Sequence, residues 1–198
     1  MRVAITGGLG FIGSHTADRL LARGDEVLVI DNLATGRSDN LEEQDRLTIA
    51  IESIEDADRT RGLVGEFRPD VVIHAAASYK DPDDWDRDSA TNVQGTVNVL
   101  AACREASVER LIYFQTSLCY GLSPIEQPVT LKHHIDPSAS SYAITKTAGE
   151  QFIQLSGIDF VSFRLANAYG PRNLSGPIPT FFQRLEAGKA CFVMDTRR

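Results

Sequence analysis

Tyr142 and Lys146 stand four residues apart in Ser141-Tyr142-Ala143-Ile144-Thr145-Lys146. On a helix that spacing puts both side chains on one face. A free phenol has a pKa of about 10, so a phenolate near neutral pH costs roughly 4 kcal/mol. An ammonium about 5 Å away supplies about 3 kcal/mol at an effective dielectric of 20. The pair therefore predicts a general base that works near neutrality. Thr116 follows the apolar run Leu111 to Phe114 and so sits at the carboxyl end of a predicted strand. Ligands of open α/β sheets bind at that edge. A hydroxyl there can donate to a substrate oxygen as the tyrosine removes its proton. Ser117 is adjacent, and position alone does not choose between the two hydroxyls.

Gly7, Gly10 and Gly13 stand in Thr6-Gly7-Gly8-Leu9-Gly10-Phe11-Ile12-Gly13, with a strand pattern before them and a helix pattern after. Glycines let the backbone turn tightly against a pyrophosphate, and the helix that starts at Phe11 and Ile12 offers free N–H groups and a positive dipole end. The spacing is GxxGxxG, one residue wider than GxGxxG. Asp31 closes the next strand, where a carboxylate can accept from a ribose 2′-hydroxyl. Residues 1–32 thus read as the first βαβ unit of a dinucleotide-binding domain. Asp31 would repel a 2′-phosphate, which favours NAD over NADP. Arg37 reads as a solvated loop arginine.

These groups need a frame. Short β-branched runs predict strands near 2–6, 26–30, 47–50, 71–74, 110–114 and 159–163. Amphipathic segments predict helices near 11–23, 56–67, 88–106 and 140–155. Strand–helix alternation with continuous apolar strands predicts an α/β fold, a doubly wound parallel sheet covered on both faces. Residues 1–166 are expected to form the nucleotide-binding domain. From 167 to 198 the texture changes, as if a smaller substrate-binding region began there and were cut short. Two glycines and three prolines between Gly170 and Pro179 predict irregular chain. A short helix is expected from Phe181 to Ala187 and a strand from Cys191 to Met194.

The 198 residues are 42% hydrophobic and 24% charged, with a net charge of −7. That acidity argues against sequence-independent binding to nucleic acid. No apolar run approaches the roughly 20 residues of a membrane span. Cys103, Cys119 and Cys191 are few, odd in number and without metal-ligand spacing. They predict free thiols in a reducing compartment, hence a cytoplasmic protein without metal. His74, at a strand end, reads as a packing residue, and His133 and His134 as solvated loop residues.

The ordered motifs resemble the extended short-chain dehydrogenases/reductases of the NAD-dependent nucleotide-sugar epimerase/dehydratase type. They run from the glycine turn through Asp31-Asn32-Leu33, His74-Ala75-Ala76-Ala77, Asn92-Val93-Gln94-Gly95-Thr96 and Thr116-Ser117-Leu118-Cys119-Tyr120-Gly121 to Arg164-Leu165-Ala166-Asn167-Ala168-Tyr169-Gly170-Pro171-Arg172. Members from bacterial surface-polysaccharide loci are the most similar. The resemblance implies that Thr116 is the catalytic hydroxyl, Tyr142 the acid/base and Lys146 its tuner and a ribose ligand. It implies cofactor contacts from Gly7, Gly10, Phe11, Ile12, Gly13, Asp31, Asn32, Ser53, Ile54, Ala75, Ala76, Ala77 and Asn92. It implies substrate contacts from Thr116, Ser117 and Asn167, the last on the diphosphate.

Dehydratases of this family carry an Asp-Glu pair right after the catalytic threonine, and decarboxylases a Glu two after it. Here Ser117 and Leu118 stand there, which leaves epimerisation, at C4 through a 4-keto sugar with NAD recycled. The alternatives are a dehydratase, a net oxidoreductase and a non-catalytic NAD-binding module. Apolar stripes near 92–106 and 140–155, among them Val97, Leu100 and Ala101, would pair with a second copy as a two-fold dimer.

Overall fold

The apolar runs become six parallel strands: β1 (Arg2–Thr6), β2 (Glu26–Asp31), β3 (Leu47–Ile51), β4 (Val71–His74), β5 (Arg110–Thr116) and β6 (Phe160–Leu165). The computed structural model describes residues 1–79 and 81–192. Sheet order is β3-β2-β1-β4-β5-β6. Strand order reverses between β1 and β4, so the loops leaving these two neighbours diverge and open a crevice at their carboxyl ends.

Alternate residues of each central strand feed two cores. Val3, Ile5, Val27, Val29 and Ile73 pack with Ala17 and Leu21 of α1 (Phe11–Arg23) on one face. Ala4, Leu28, Ile30, Val72, Leu111 and Tyr113 pack on the other with Val64 of α2 (Ala57–Phe67), Val99 and Leu100 of α4 (Thr96–Glu105) and Ile153 of α5 (Ser141–Ser156). Both faces are covered, which is why these strands carry apolar residues at every position rather than every second one. Each fully buried Leu, Ile or Val contributes about 1.5–3 kcal/mol.

The helix expected near 88–106 begins earlier, with α3 (Trp85–Asp88), where the Asp84 carboxylate accepts from Arg87 N at 3.1 Å. It widens into a π-helical turn over Ser89–Gly95 before α4. Thr91, Asn92 and Gly95 in that turn are buried. Leu100 lies in the core, 6% exposed, rather than on an outer stripe; the apolar side chains left outside on α5 are Ile144, Phe152 and Leu155.

The contacts divide the chain into two compact units, 1–166 and 167–198. In the second, α6 (Pro177–Glu186) starts four residues before the expected helix. Pro177 and Pro179 fall in its first turn, where a missing N–H costs nothing, so they begin the helix instead of barring it. Cys191 and Phe192 are outside regular structure, and the rest of the strand expected to Met194 lies outside the described residues. Among the described residues no helix is long and apolar enough to cross a membrane.

Candidate active site

The glycine turn joins β1 to α1. Gly7 adopts φ +70°, and a Cβ on it would lie 2.6 Å from Ala76 N, so the turn and the loop after β4 are in backbone contact. Gly13 is tighter still: a Cβ would sit 2.2 Å from the Gly7 carbonyl oxygen and 2.8 Å from Gly8 Cα. Both obstacles are backbone and cannot rotate away. Gly13→Ala is therefore expected to cost about 3 kcal/mol or more. Gly62→Ala in α2, where a Cβ meets nothing within 4 Å, should gain up to about 1 kcal/mol in helix propensity. Urea midpoints of the two variants test this, and equal midpoints would contradict the close approach at Gly13.

At Gly10, the residue before α1, a Cβ would meet only the Gly7 oxygen, at 3.2 Å. The outside of the turn is thus open. Gly10 has no side chain to cap the helix, and the first turn, with Phe11, Ile12 and Gly13, holds no acidic residue. The positive end of a 13-residue helix is left uncompensated beside free space. Those features fit a diphosphate.

Asp31, 7% exposed at the end of β2, braces the same turn. Its Oδ2 accepts from Leu9 N at 2.9 Å and its Oδ1 from Leu33 N at 2.8 Å. Each oxygen keeps a lone pair for a hydroxyl donor. Asn32 is exposed next to it. Arg37 is exposed and its guanidinium is held by Asp39 at 2.6 and 2.8 Å. Ser53 is half-buried, while Ile54 is spent in the core against Gly95, with its carbonyl taken by Asn98 Nδ2 at 2.9 Å. Only backbone at Ile54 is left to meet a ligand.

Ala75, Ala76 and Ala77 follow β4, half-buried, with Ala75 N donating to the Thr6 carbonyl at 3.0 Å. Asn92 clamps this loop to α5. Its Oδ1 accepts from Ser78 N at 2.9 Å, and its Nδ2 donates to the Ser78 carbonyl and to Thr145 Oγ1, both at 3.0 Å. Behind it His74 is fully buried, Nδ1 on Thr6 Oγ1 at 2.6 Å and Nε2 on Thr96 Oγ1 at 2.9 Å. Thr96 gives its own proton to the Asn92 carbonyl, which leaves Nε2 to carry the ring proton. Burial, reinforced by the Lys146 charge, pushes His74 down to about 3, so it is neutral.

Tyr142 and Lys146 share the inner side of α5, and Thr116 ends β5. Thr116 Oγ1 accepts from Leu118 N at 3.2 Å, capping the short 3-10 turn Ser117–Tyr120 and leaving its hydroxyl proton free to donate. That hydroxyl lies toward Tyr142 and pulls its pKa down. Ser117, half-buried, is not among the groups that shift Tyr142. Burial outweighs the pull of Thr116, with Tyr79 and Asp88 adding to it, and holds Tyr142 up at about 12.

Lys146, 1% exposed, is pushed down to about 7 by burial, against the pull of Glu150. Its Nζ rests 3.9 Å from the centre of the Tyr113 ring. This differs from the sequence expectation, in which the ammonium lowers the phenol. Both groups are desolvated, and a lysine that loses its proton near 7 is no cation at the pH where this phenol ionises.

Asn167 is exposed and belongs to the second unit. His134 is exposed, but His133 organises its loop: Nε2 accepts from Ile125 N at 3.1 Å and the ring stacks edge-on to Tyr120. Sequence reasoning missed Glu150 and Asp88, both buried around α5. A carboxylate four residues after Lys146 was the available signal for the first.

The model of the NAD dependent epimerase/dehydratase family matches residues 3–198. The chain belongs to that family. The Bordetella bronchiseptica enzyme WbmH, solved in complex with NAD+, superposes with a TM-score of 0.94 at 55% identity, over 97% of this chain and 64% of that one. UDP-glucose 4-epimerase of Mycolicibacterium smegmatis is 36% identical over 96% of this chain and 64% of its own length. UDP-N-acetyl-alpha-D-glucosaminuronate decarboxylase of Bacillus cytotoxicus is 35% identical over 92% of this chain and 60% of its own length. The chain thus spans less than two thirds of the relatives it matches.

Proposed function

We propose that this chain is the NAD-binding part of an enzyme that epimerises a nucleotide-activated sugar, at C4, through a 4-keto intermediate. The carrying observation is that Thr116, at the carboxyl end of β5, and Tyr142 and Lys146, on the inner side of α5, come together beside an open glycine turn, with Thr116 acting on the Tyr142 phenol. The free amides of Phe11, Ile12 and Gly13 in the first turn of α1 hold the cofactor diphosphate, and the bare backbone of Gly7 and Gly10, whose own amides are spent on the Ile30 and Gly7 carbonyls, lets it come close. Asp31 and Asn32 take the adenosine ribose, and Ser53 with the Ile54 backbone meets adenine. Ala75, Ala76 and Ala77 line the cofactor, Asn92 fixes that loop, and Tyr142 and Lys146 take the second ribose. NAD, when bound, supplies the hydride acceptor and donor.

Tyr142 takes the proton of the sugar 4-hydroxyl as that carbon is oxidised, and returns it when the ketone is reduced on its other face. Thr116 donates to the same oxygen, and Ser117 lies beside the sugar. Asn167 holds the diphosphate of the substrate. Leu118, two after Thr116, has no proton to give or take, which favours epimerisation over decarboxylation or water elimination. The names of the mycobacterial relative and of the decarboxylase support UDP as the nucleotide. Ile144, Phe152 and Leu155, exposed on α5, support a homodimer through α4 and α5. Free cysteines support a cytoplasmic location.

The test uses the protein at the full length of its relatives, with a panel of UDP-, dTDP- and GDP-sugars followed by mass spectrometry, NMR and absorbance at 340 nm. An epimer of unchanged mass, formed with no lasting absorbance, is expected. Release of carbon dioxide or water, or accumulating NADH, would replace the reading with a decarboxylase, dehydratase or dehydrogenase. Calorimetry should find NAD bound more tightly than NADP, because Asp31 faces the ribose and Arg37 is engaged by Asp39.

A further inference from the structure

Glu150 lies one helical turn beyond Lys146 on α5 and is 3% exposed. Residues four apart on a helix are neighbours, about 5–6 Å between Cβ atoms. Three side chains fix its carboxylate. Arg164 of β6 donates from Nη2 to Oε2 at 3.0 Å and from Nε to Oε1 at 3.4 Å. Ser162 Oγ donates to Oε1 at 2.5 Å, and Gln115 Nε2 reaches Oε2 at 3.4 Å. The same Gln115 amide group donates to the Lys146 carbonyl at 3.1 Å, while Gln115 Oε1 accepts from the Thr116 amide at 2.8 Å. Arg164 also donates to Tyr120 Oη at 2.8 Å, at the far end of the turn that Thr116 caps. One buried carboxylate is therefore tied to the lysine, to the threonine backbone and to the turn between them.

We propose that Glu150 is a positioning residue of the site: it keeps the ammonium of Lys146 charged in a dry seam and, through Gln115, sets the Thr116 backbone. The inference rests on the reading of Tyr142, Lys146 and Thr116 given above. The groups around Lys146 leave Glu150 as its nearby anion. From β5 comes the Tyr113 ring, from β4 the neutral His74, from the π-helical turn the uncharged Asn92. Tyr142 precedes it on α5 as a protonated phenol. Asp88, at the end of α3, is held by Ser141 Oγ at 2.5 Å, more than one turn away. Arg164 of β6 sits on Glu150 itself and tempers its charge without removing it. Burial drives Lys146 down and Glu150 is the group that draws it back up.

The test is Glu150→Gln in the full-length protein, with turnover and NAD affinity by calorimetry each measured across pH. NAD affinity should fall as pH rises and Lys146 loses its proton, while turnover, which climbs as Tyr142 ionises, should level off at the same point. In Glu150→Gln the fall in affinity and the levelling of turnover should begin about one pH unit lower, making both quantities roughly tenfold weaker just above neutrality. Ser162→Ala removes one bond to the same carboxylate but keeps the charge, and should leave the fall in place. If Glu150→Gln does not fold, Glu150→Gln with Arg164→Met removes both charges together and should move the fall in the same direction. A folded variant, by its melting curve, whose pH profiles match wild type would overturn the inference. Should Tyr142→Phe also retain turnover, the underlying reading fails instead.

Discussion

Tyr142→Phe, in the protein at the full length of its relatives, should lower kcat by at least about 10²–10⁴-fold while leaving NAD affinity nearly unchanged. The ring stays and only the proton carrier goes. Packing of Tyr142 against the Tyr79 ring, 6.2 Å between centres, is preserved. Because burial holds this phenol at about 12, turnover in the parent protein should climb with pH on its acid side, and that climb should vanish in the variant. Thr116→Ala should be more damaging than Ser117→Ala, since the Thr116 hydroxyl is the one that acts on the phenol. Steady-state rates of the three variants at several pH values decide the matter. Near wild-type turnover in Tyr142→Phe would end the mechanism, and the reverse order of the two hydroxyl variants would reassign the donor.

Lys146→Met should abolish most turnover and yet make the protein melt at a higher temperature. The lysine is 1% exposed, and its pKa falls from 10.5 to about 7 on folding. Between those two values the unfolded chain binds the extra proton, so stability rises with pH across that window. Below about 7 the protein carries the whole penalty, on the order of a few kcal/mol. Methionine fills a similar volume without it, though it forfeits a cation–π contact with Tyr113 worth up to about 2 kcal/mol. The net gain of roughly 2 kcal/mol should appear as a rise of several degrees at neutral pH and shrink toward alkaline pH. Melting curves at neutral and alkaline pH measure it, and a variant that melts lower throughout would refute the burial argument.

The strands were legible because parallel strands buried on both faces must be apolar at every position, and Val27 to Ile30 or Val71 to Ile73 have no other plausible home. The glycine turn was legible because Gly7 and Gly13 answer to steric demands no other residue meets. The electrostatics around α5 were not. A Lys and a Glu four apart look in sequence like a solvated surface pair, and only the sheet lying over them turns both into buried charges. The same limit explains Ile54 and Leu100, whose types fit either a ligand-facing or a core position. At Pro177 and Pro179 the residue type was informative but its helical position was not, and position decides whether a proline stops a helix or starts one.

The π-helical turn at Ser89–Gly95 also constrains how this protein can change length. Each residue added to or removed from a helix rotates everything on one side of it by about 100° relative to the other. Asn92 grips both the loop after β4 and Thr145, so its direction is fixed from two sides. A single-residue deletion there would act like a frameshift in space, with each residue retained but the gripping amide turned away from its targets. Along the lineage of this fold, the stretch from Trp85 to Glu105 should therefore keep its residue count even where residue identities drift freely. The surface segment from Gly121 to Ala139 has no helical phase to keep; it is tied back instead at separate points, by Asp136 N on the Cys119 carbonyl and by His133 on the Tyr120 ring, and length can change between them.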